Sequence, residues 1–216
     1  MAKPVKPGAS PEYPLRRARA RATRGRVLDG ARELFVANGY GATTIEAIAR
    51  RADVSPETIY ATFGNKRAVL SELVDVSISG AVGAAPVLEQ DWVRELRVEP
   101  DIDRRARILA TAGRAILERR AAVDEIIRGA ASADPDLAAL RDRGKAERLA
   151  GQRELLRLVA GATGLRSGLS LDVAADMLYA IGSPETWHLL VVERGWSGEQ
   201  FEAWYLDMIG RLLPGS

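Results

Sequence analysis

Residues 44–66, TIEAIARRADVSPETIYATFGNK, hold the pattern that most restricts how this 216-residue chain can fold. The first half repeats apolar residues at the i, i+3, i+4, i+7 spacing of one helix face. These residues are Ile45, Ile48, Ala49 and Ala52. The pattern then stops, and Ser55 followed by Pro56 is typical of a new helix, because serine caps the first turn and proline fits its first position.

The second half predicts another short helix that ends near Phe63. Ile59 and Phe63 are four residues apart and form its buried stripe, while Asn65 is a cap for a further helix that begins at Lys66. Two short helices joined by a turn of about four residues are the helix-turn-helix pattern of DNA-binding proteins.

Helical periodicity continues on both sides of this motif, and nothing in the chain predicts a strand, so we expect an all-α protein. A first helix should run from Thr23 to about Asn38 and end at Gly39 in a left-handed conformation. The helix that begins at Lys66 should end near Ala81. Further helices are predicted over residues 87–98, 102–119, 122–131, 135–160, 174–181, 184–191 and 201–212, the last opened by the capping box Ser197–Gln200.

The predicted domains are a basic arm (1–22), a helix-turn-helix DNA-binding domain (23–70) and a larger helical domain (71–216). We interpret the proline-rich arm as disordered, with helix from Arg17 at the earliest. Residues 1–26 carry a net charge of +7, whereas the rest of the chain carries −5. By itself this asymmetry fits a polyanionic partner and a merely solvated tail about equally, and the position of the arm just before the helix-turn-helix favours DNA. The arm has too few large apolar residues for a membrane surface.

Composition argues against several other classes of protein. The chain has no cysteine and a single histidine, His188, so we expect no catalytic triad, no metal site and no cofactor, and therefore no enzyme. No apolar run approaches the roughly 18 residues that span a bilayer, and the N-terminus lacks a secretory signal. We therefore expect a cytoplasmic protein.

Residues 23–70 resemble the N-terminal domain of the tetracycline-repressor (TetR) family. The resemblance rests on the apolar rhythm of the first helix and on Phe35, Gly39-Tyr40, Thr43-Thr44, Ile48-Ala49, Val54-Ser55, Thr58-Ile59-Tyr60, Phe63 and Asn65-Lys66. Residues 183–213 also resemble the C-terminal end of many members. The resemblance implies an all-α homodimer in which three small helices bind DNA and a larger helical domain dimerises and holds a ligand.

The expected function is a dimeric, sequence-specific regulator of transcription, most often a repressor in this family. It would bind a palindromic operator in double-stranded DNA and be released by a small-molecule effector. The alternative is a ligand-independent repressor with the same fold.

Helix geometry predicts which side chains face the DNA. A turn of 100° per residue puts Glu57 and Ala61 opposite Ile59 and Phe63. On that face the small apolar Ala61 suits contact with a thymine methyl group. Glu57 either accepts a hydrogen bond from cytosine N4 or only interacts favourably with the helix dipole and contacts no base. Thr44 offers a helix N-terminus to phosphate, and Tyr60 and Lys66 match family residues that contact the DNA backbone. The full predicted set is Arg24, Thr43, Thr44, Ser55, Pro56, Glu57, Thr58, Tyr60, Ala61, Thr62 and Lys66.

The ligand and dimer surfaces are less marked in the sequence. Large or polarisable side chains that could line a pocket are Trp92, Met177, Tyr179, Trp187 and His188, although most of them fit a core or an interface equally well. The apolar stripe from Phe201 to Leu212, with Trp187, Leu190 and Val191, is the predicted dimer surface, and an intramolecular core is its alternative.

Overall fold

A computed structural model describes residues 12–132 and 134–215. Within these residues the chain forms helices and no strand, which confirms the all-α prediction. The elements in chain order are α1 (Glu12–Ala42), α2 (Ile45–Ala52), α3 (Pro56–Phe63), α4 (Lys66–Ser79), a 3-10 turn (Val87–Glu89), α5 (Asp91–Val98), α6 (Ile102–Ala131), α7 (Pro135–Ala160), α8 (Leu171–Ile181), α9 (Pro184–Trp187), a π-helical segment (His188–Glu193) and α10 (Gly198–Gly210).

Helix α1 begins much earlier than the sequence predicts. It starts at Glu12 rather than Thr23, so residues 12–22 are helical, whereas residues 1–11 of the predicted disordered arm lie outside the described residues. Residues 15–22 read LRRARARA and consist of good helix formers, and extending an existing helix costs far less than nucleating one. Gly39 interrupts α1 with φ 78° and ψ 162°, so its φ is positive as expected but its ψ is not left-handed helical.

The helix-turn-helix unit begins each of its helices at the predicted cap. Thr44 Oγ1 accepts a hydrogen bond from the Ala47 N–H at 3.2 Å, and Ser55 Oγ accepts one from the Thr58 N–H at 3.3 Å. Asn65 Oδ1 accepts the Ala68 N–H at 2.9 Å. These contacts satisfy donors that would otherwise be unpaired in each first turn, so the starts of α2, α3 and α4 are set locally.

Helix α6 is one continuous helix, and the prediction of separate helices over 102–119 and 122–131 was wrong. Residues 120–122 contain no glycine or proline to break the helix. Arg120 also donates to Asp124, one turn later, at 2.6 and 2.9 Å, and such a pair supports helix across the junction. The predicted helix over 87–98 is instead divided at Gln90 into the 3-10 turn and α5.

Two apolar cores share α6. The first combines α1 to α4 with the C-terminal half of α6 and with Leu137 of α7. The second combines α5, the N-terminal half of α6, the end of α7, α8 and α10. Because α4 and α6 pack in the first core, that core crosses the predicted boundary at residue 70.

The predicted dimer stripe lies largely inside this chain. Phe201, Tyr205, Ile209 and Leu212 are buried in the second core, as is Trp187, whose ring centroid is 4.9 Å from that of Phe201. These side chains therefore form an intramolecular core, which was the alternative to the predicted dimer surface. Nearby apolar residues remain exposed instead: Val173 and Met177 on α8, and Leu189 and Val192 in the π-helical segment.

Candidate nucleic-acid interface

Helix α3 presents two opposite faces, as the predicted periodicity requires. Ile59 and Phe63 are buried in the first core, whereas Glu57, Tyr60 and Ala61 are exposed on the other side. Half of the Tyr60 side chain is accessible, at 50%. A short helix with an exposed face after a tight turn has the geometry that enters a major groove.

The turn before α3 orders the polar side chains at its N-terminus. The Ser55 and Thr58 hydroxyl oxygens lie 3.2 Å apart and share a hydrogen bond, and Pro56 occupies the first helical position. Hydrogen bonds from its own backbone N–H and from the Ser55 hydroxyl lower the pKa of the exposed Glu57. Glu57 is therefore an ionised acceptor at neutral pH, held by the helix cap yet open to solvent.

Thr44 and Thr43 are adjacent in sequence but differ in accessibility. Thr44 is exposed at the N-terminus of α2, where free backbone N–H groups and the helix dipole attract anions. Thr43 is buried, and its hydroxyl donates to the carbonyls of Gly39 at 2.9 Å and Leu34 at 3.2 Å. Thr43 thus closes the connection between α1 and α2 and is not accessible to DNA.

Arg24 is also occupied within the protein. Its guanidinium pairs with the Glu72 carboxylate and lies 4.7 Å from the centroid of the Phe63 ring. The hydrogen bond with Glu72 is the main cause that raises the pKa of Arg24. Arg24 thus ties α1 to α3 and α4. We leave Arg24 out of the proposed DNA contacts for this reason, and Thr43 because it is buried.

Lys66 has a structural task that the sequence does not reveal. Its Nζ donates to the carbonyl oxygens of Tyr40 at 2.7 Å and Thr43 at 2.8 Å, and lies 4.3 Å from the centroid of the Tyr40 ring. Burial lowers the pKa of this ammonium group, while the Asp134 charge acts in the opposite direction. Two of its three donors are used, which leaves one for a phosphate.

A cavity of about 180 Å³ lies between α4, α6, α7 and α9. Many residues of its lining are charged, and others are apolar. One of the apolar residues is Val74 of α4, which also packs in the first core against the helix-turn-helix unit. The charged and histidine residues that line it are Arg120, Asp124, Glu125, Arg128, Arg141, Lys145, Arg148, Glu185 and His188.

Only His188 among the predicted ligand residues lines this cavity. Trp187 is in the second core, and Met177 is exposed on α8. Tyr179 lies under the Arg148 guanidinium, with 3.9 Å from Cζ to the ring centroid, and the Trp92 indole donates to Gln90 Oε1 at 2.9 Å. The sequence directed attention to aromatic side chains, whereas most charged residues of the lining come from two long helices, α6 and α7. No local pattern in the sequence shows which sides of these helices face each other.

Comparison with known proteins places this geometry in a family. Residues 27–73 match the model described as "Bacterial regulatory proteins, tetR family". The uncharacterised HTH-type transcriptional regulator YdeS of Bacillus subtilis (strain 168) is 31% identical over 164 residues, which cover 76% of this chain and 77% of YdeS. The chain belongs to the TetR family. It is therefore a transcriptional regulator with a helix-turn-helix domain, from a family whose members are not enzymes.

Matches to other HTH-type transcriptional regulators are shorter. YvkB, an uncharacterised HTH-type regulator of the same B. subtilis strain, is 37% identical over 76 residues, which cover 35% of this chain and 40% of YvkB. The match to TcmR of Streptomyces glaucescens covers 42% of that protein, so the chain spans less than half of either relative.

Solved structures agree on the fold across most of the chain. A TetR-family regulator from Mesorhizobium loti superimposes with a TM-score of 0.64 at 19% identity, covering 89% of this chain and 95% of that one. The fatty acid degradation regulator FadR from Bacillus halodurans gives 0.62 at 17% identity, with coverages of 94% and 96%. In the described part of this chain, no helix is both long and apolar enough to cross a membrane.

Proposed function

We propose that this TetR-family regulator is a homodimeric repressor that binds a palindromic operator in double-stranded DNA and is released by a small molecule. The observation that supports DNA reading most directly is the exposed face of α3, opposite the buried Ile59 and Phe63. The protein would act in the cytoplasm, where bacterial operators are accessible.

The proposed DNA contacts divide by chemistry. Thr44, Tyr60 and the remaining donor of Lys66 bind backbone phosphates, which position the protein but carry no sequence information. Glu57, Thr58, Ala61 and Thr62 face the bases, where a carboxylate reads cytosine and a methyl group contacts thymine. Ser55 and Pro56 begin α3 and so set how its N-terminus approaches the groove.

Dimerisation follows from the amount of sequence one short helix can read. A single recognition helix contacts few base pairs, too few for useful specificity in a genome. Two copies related by a two-fold axis would read half-sites about 34–36 Å apart or a multiple of this distance. The exposed side chains Val173, Met177, Leu189 and Val192 are the proposed contact face, because α8 and the π-helical segment both pack on α10 and leave these residues uncovered.

Release by a small molecule would use α4 as the connecting element. This helix begins with Lys66 in the DNA-binding unit and reaches the cavity with Val74. A ligand that favours a conformation with wrongly spaced recognition helices would shift the population away from the DNA-bound state. The presence of the cavity favours a repressor that is released by a ligand over a ligand-independent repressor.

Selection of bound sequences from a random double-stranded DNA pool tests the proposal. A palindromic consensus with two half-sites is the expected result. Salt-sensitive binding with no sequence preference would instead indicate a non-specific DNA-binding protein and contradict the proposal.

A further inference from the structure

We propose that the cavity between α4, α6, α7 and α9 binds a small organic carboxylate, held by Arg148 and Lys145. This inference rests on the proposed function, since it takes the cavity to be the effector site, and it specifies the chemistry of that effector. The preference for a carboxylate is inferred from how closely each charged side chain in the cavity wall is paired with a neighbour of opposite charge.

Most charged groups around the cavity have close partners. Arg120 and Asp124 form two hydrogen bonds at 2.6 and 2.9 Å. Glu125 pairs with Arg128 and lies 2.9 Å from His188 Nδ1. Arg141 lies 2.9 Å from Asp142. These pairs leave neither Asp124 nor Glu125 free to bind a cationic ligand strongly.

Arg148 and Lys145 are the exceptions. They share one carboxylate, Glu185, at 3.8 and 3.9 Å, which is longer than a hydrogen bond. Two cations facing one acid leave an excess positive charge at this corner of the cavity. An anionic ligand would complement it.

The Arg148 guanidinium also has an unused donor. Its side chain is only 13% exposed, and its buried Nη1 has no hydrogen-bond partner among the described residues. The Tyr179 ring beneath it, 3.9 Å from Cζ, restricts its orientation. A buried unpaired donor is costly, and a carboxylate is the group that an arginine fork binds best, through two parallel hydrogen bonds.

The rest of the cavity sets the size and polarity of the ligand. Its apolar wall is formed by Val74, Ala121, Ile127, Leu140 and Pro184. The volume of about 180 Å³ is comparable to the engineered cavity of about 150 Å³ that holds benzene. A carboxylate with a single ring or a short branched chain therefore fits.

Calorimetric titration of the whole 216-residue chain without DNA tests this chemistry. The probes are benzoate and isovalerate, their neutral amides benzamide and isovaleramide, and the cation benzylamine. We expect at least one acid to bind about tenfold or more tightly than its amide, because a charge-assisted hydrogen bond is lost in the amide. Equal or tighter binding of the amide or the amine, or no binding of either acid, would overturn the proposal.

Three glutamine variants locate the carboxylate within the cavity. Lys145→Gln and Arg148→Gln should each weaken binding of the acid about tenfold while leaving amide binding unchanged. Arg153→Gln is the matched control on the same helix, since Arg153 pairs with Asp172 and does not line the cavity. Lys145 is 47% exposed, so its variant should stay folded by circular dichroism even if Arg148→Gln does not.

Unchanged acid binding in folded Lys145→Gln would refute the assignment. Because these titrations contain no DNA, their failure is separate from a failure of operator binding in the selection experiment. A protein that binds the acid but lacks a palindromic site would contradict the proposed function alone.

Discussion

Lys66 donates hydrogen bonds to the carbonyl oxygen of Tyr40 at the end of α1 and to that of Thr43, which directly precedes Thr44 in the connection to α2. Substitution of Lys66 should therefore disturb the start of α2, where we propose that phosphate binds, even without a direct DNA contact. Tyr60 differs, because it is exposed on α3 and its hydroxyl is available to DNA. These two residues allow stability and DNA affinity to be separated.

Lys66→Gln should lower the free energy of unfolding by about 1–3 kcal/mol, since two part-buried acceptors lose a charged donor. Tyr60→Phe should leave stability unchanged and weaken operator binding by up to about tenfold, equally across single-base operator variants. Urea unfolding and fluorescence anisotropy measure the two effects. Undiminished stability of Lys66→Gln would show that its hydrogen bonds to the loop are not retained in solution.

Asp53 ends α2 in a left-handed conformation, with φ 52° and ψ 55°, which residues that carry a Cβ atom adopt at a cost. Asp53→Gly should therefore raise the free energy of unfolding by about 0.5–1 kcal/mol, and Asp53→Ala should lower it by a similar amount. Opposite signs for the two substitutions in urea unfolding are the expected result. A stabilising alanine would mean that the turn adopts a different backbone conformation.

At the scale of elements, α6 connects the two cores and must approach α10 closely to do so. A Cβ atom added at Gly113 would lie 2.7 Å from Cε1 of the buried Tyr205, whereas one added at Gly129 would meet nothing within 4 Å. Both glycines are in the same helix, Gly113 in its interior and Gly129 in its last turn, and alanine is intrinsically preferred to glycine in a helix. Alanine substitutions at these two positions therefore allow the effect of helix propensity on stability to be measured separately from the effect of packing.

Gly113→Ala should destabilise the protein by about 1–3 kcal/mol, because overpacking against Tyr205 outweighs the gain in helix propensity. Gly129→Ala is the matched control and should stabilise it by up to about 1 kcal/mol. Thermal and urea unfolding of the two variants measure the difference. Stabilisation by both would show that α6 and α10 are further apart than in the structure.

At the scale of the whole molecule, the second core buries the inner face of α10 and leaves apolar side chains outside it. Leu189 and Val192 are 53% and 58% exposed, an arrangement that is typical of an interaction surface when several such residues occur together. The proposed homodimer would cover them.

The double variant Leu189→Glu/Val192→Glu should be monomeric by light scattering and should lose high-affinity binding to a palindromic site, because charges would be buried at the interface. Val98→Glu is the control, since Val98 on α5 is 79% exposed and lies outside the proposed face. A dimeric double variant would place the interface elsewhere.

The helix-turn-helix unit could be predicted from sequence because its determinants are local. The caps Thr44, Ser55 and Asn65 each bond to a backbone N–H three residues later, and the buried Ile59 and Phe63 are one helical turn apart. Such interactions depend on neighbouring residues only, so residue types and spacing were sufficient to determine the starts of α2, α3 and α4 and the exposed face of α3.

Tertiary structure decided everything that joins distant segments. It assigned Arg24 to Glu72 and Lys66 to the Tyr40 carbonyl, turned Phe201 and Tyr205 inward, and brought charged residues of α6 and α7 around one cavity. Long helices such as α6 and α7 carry charge on several faces, so periodicity does not tell which side meets a neighbour. That choice follows from the packing of all helices together, and no local segment of the sequence contains it.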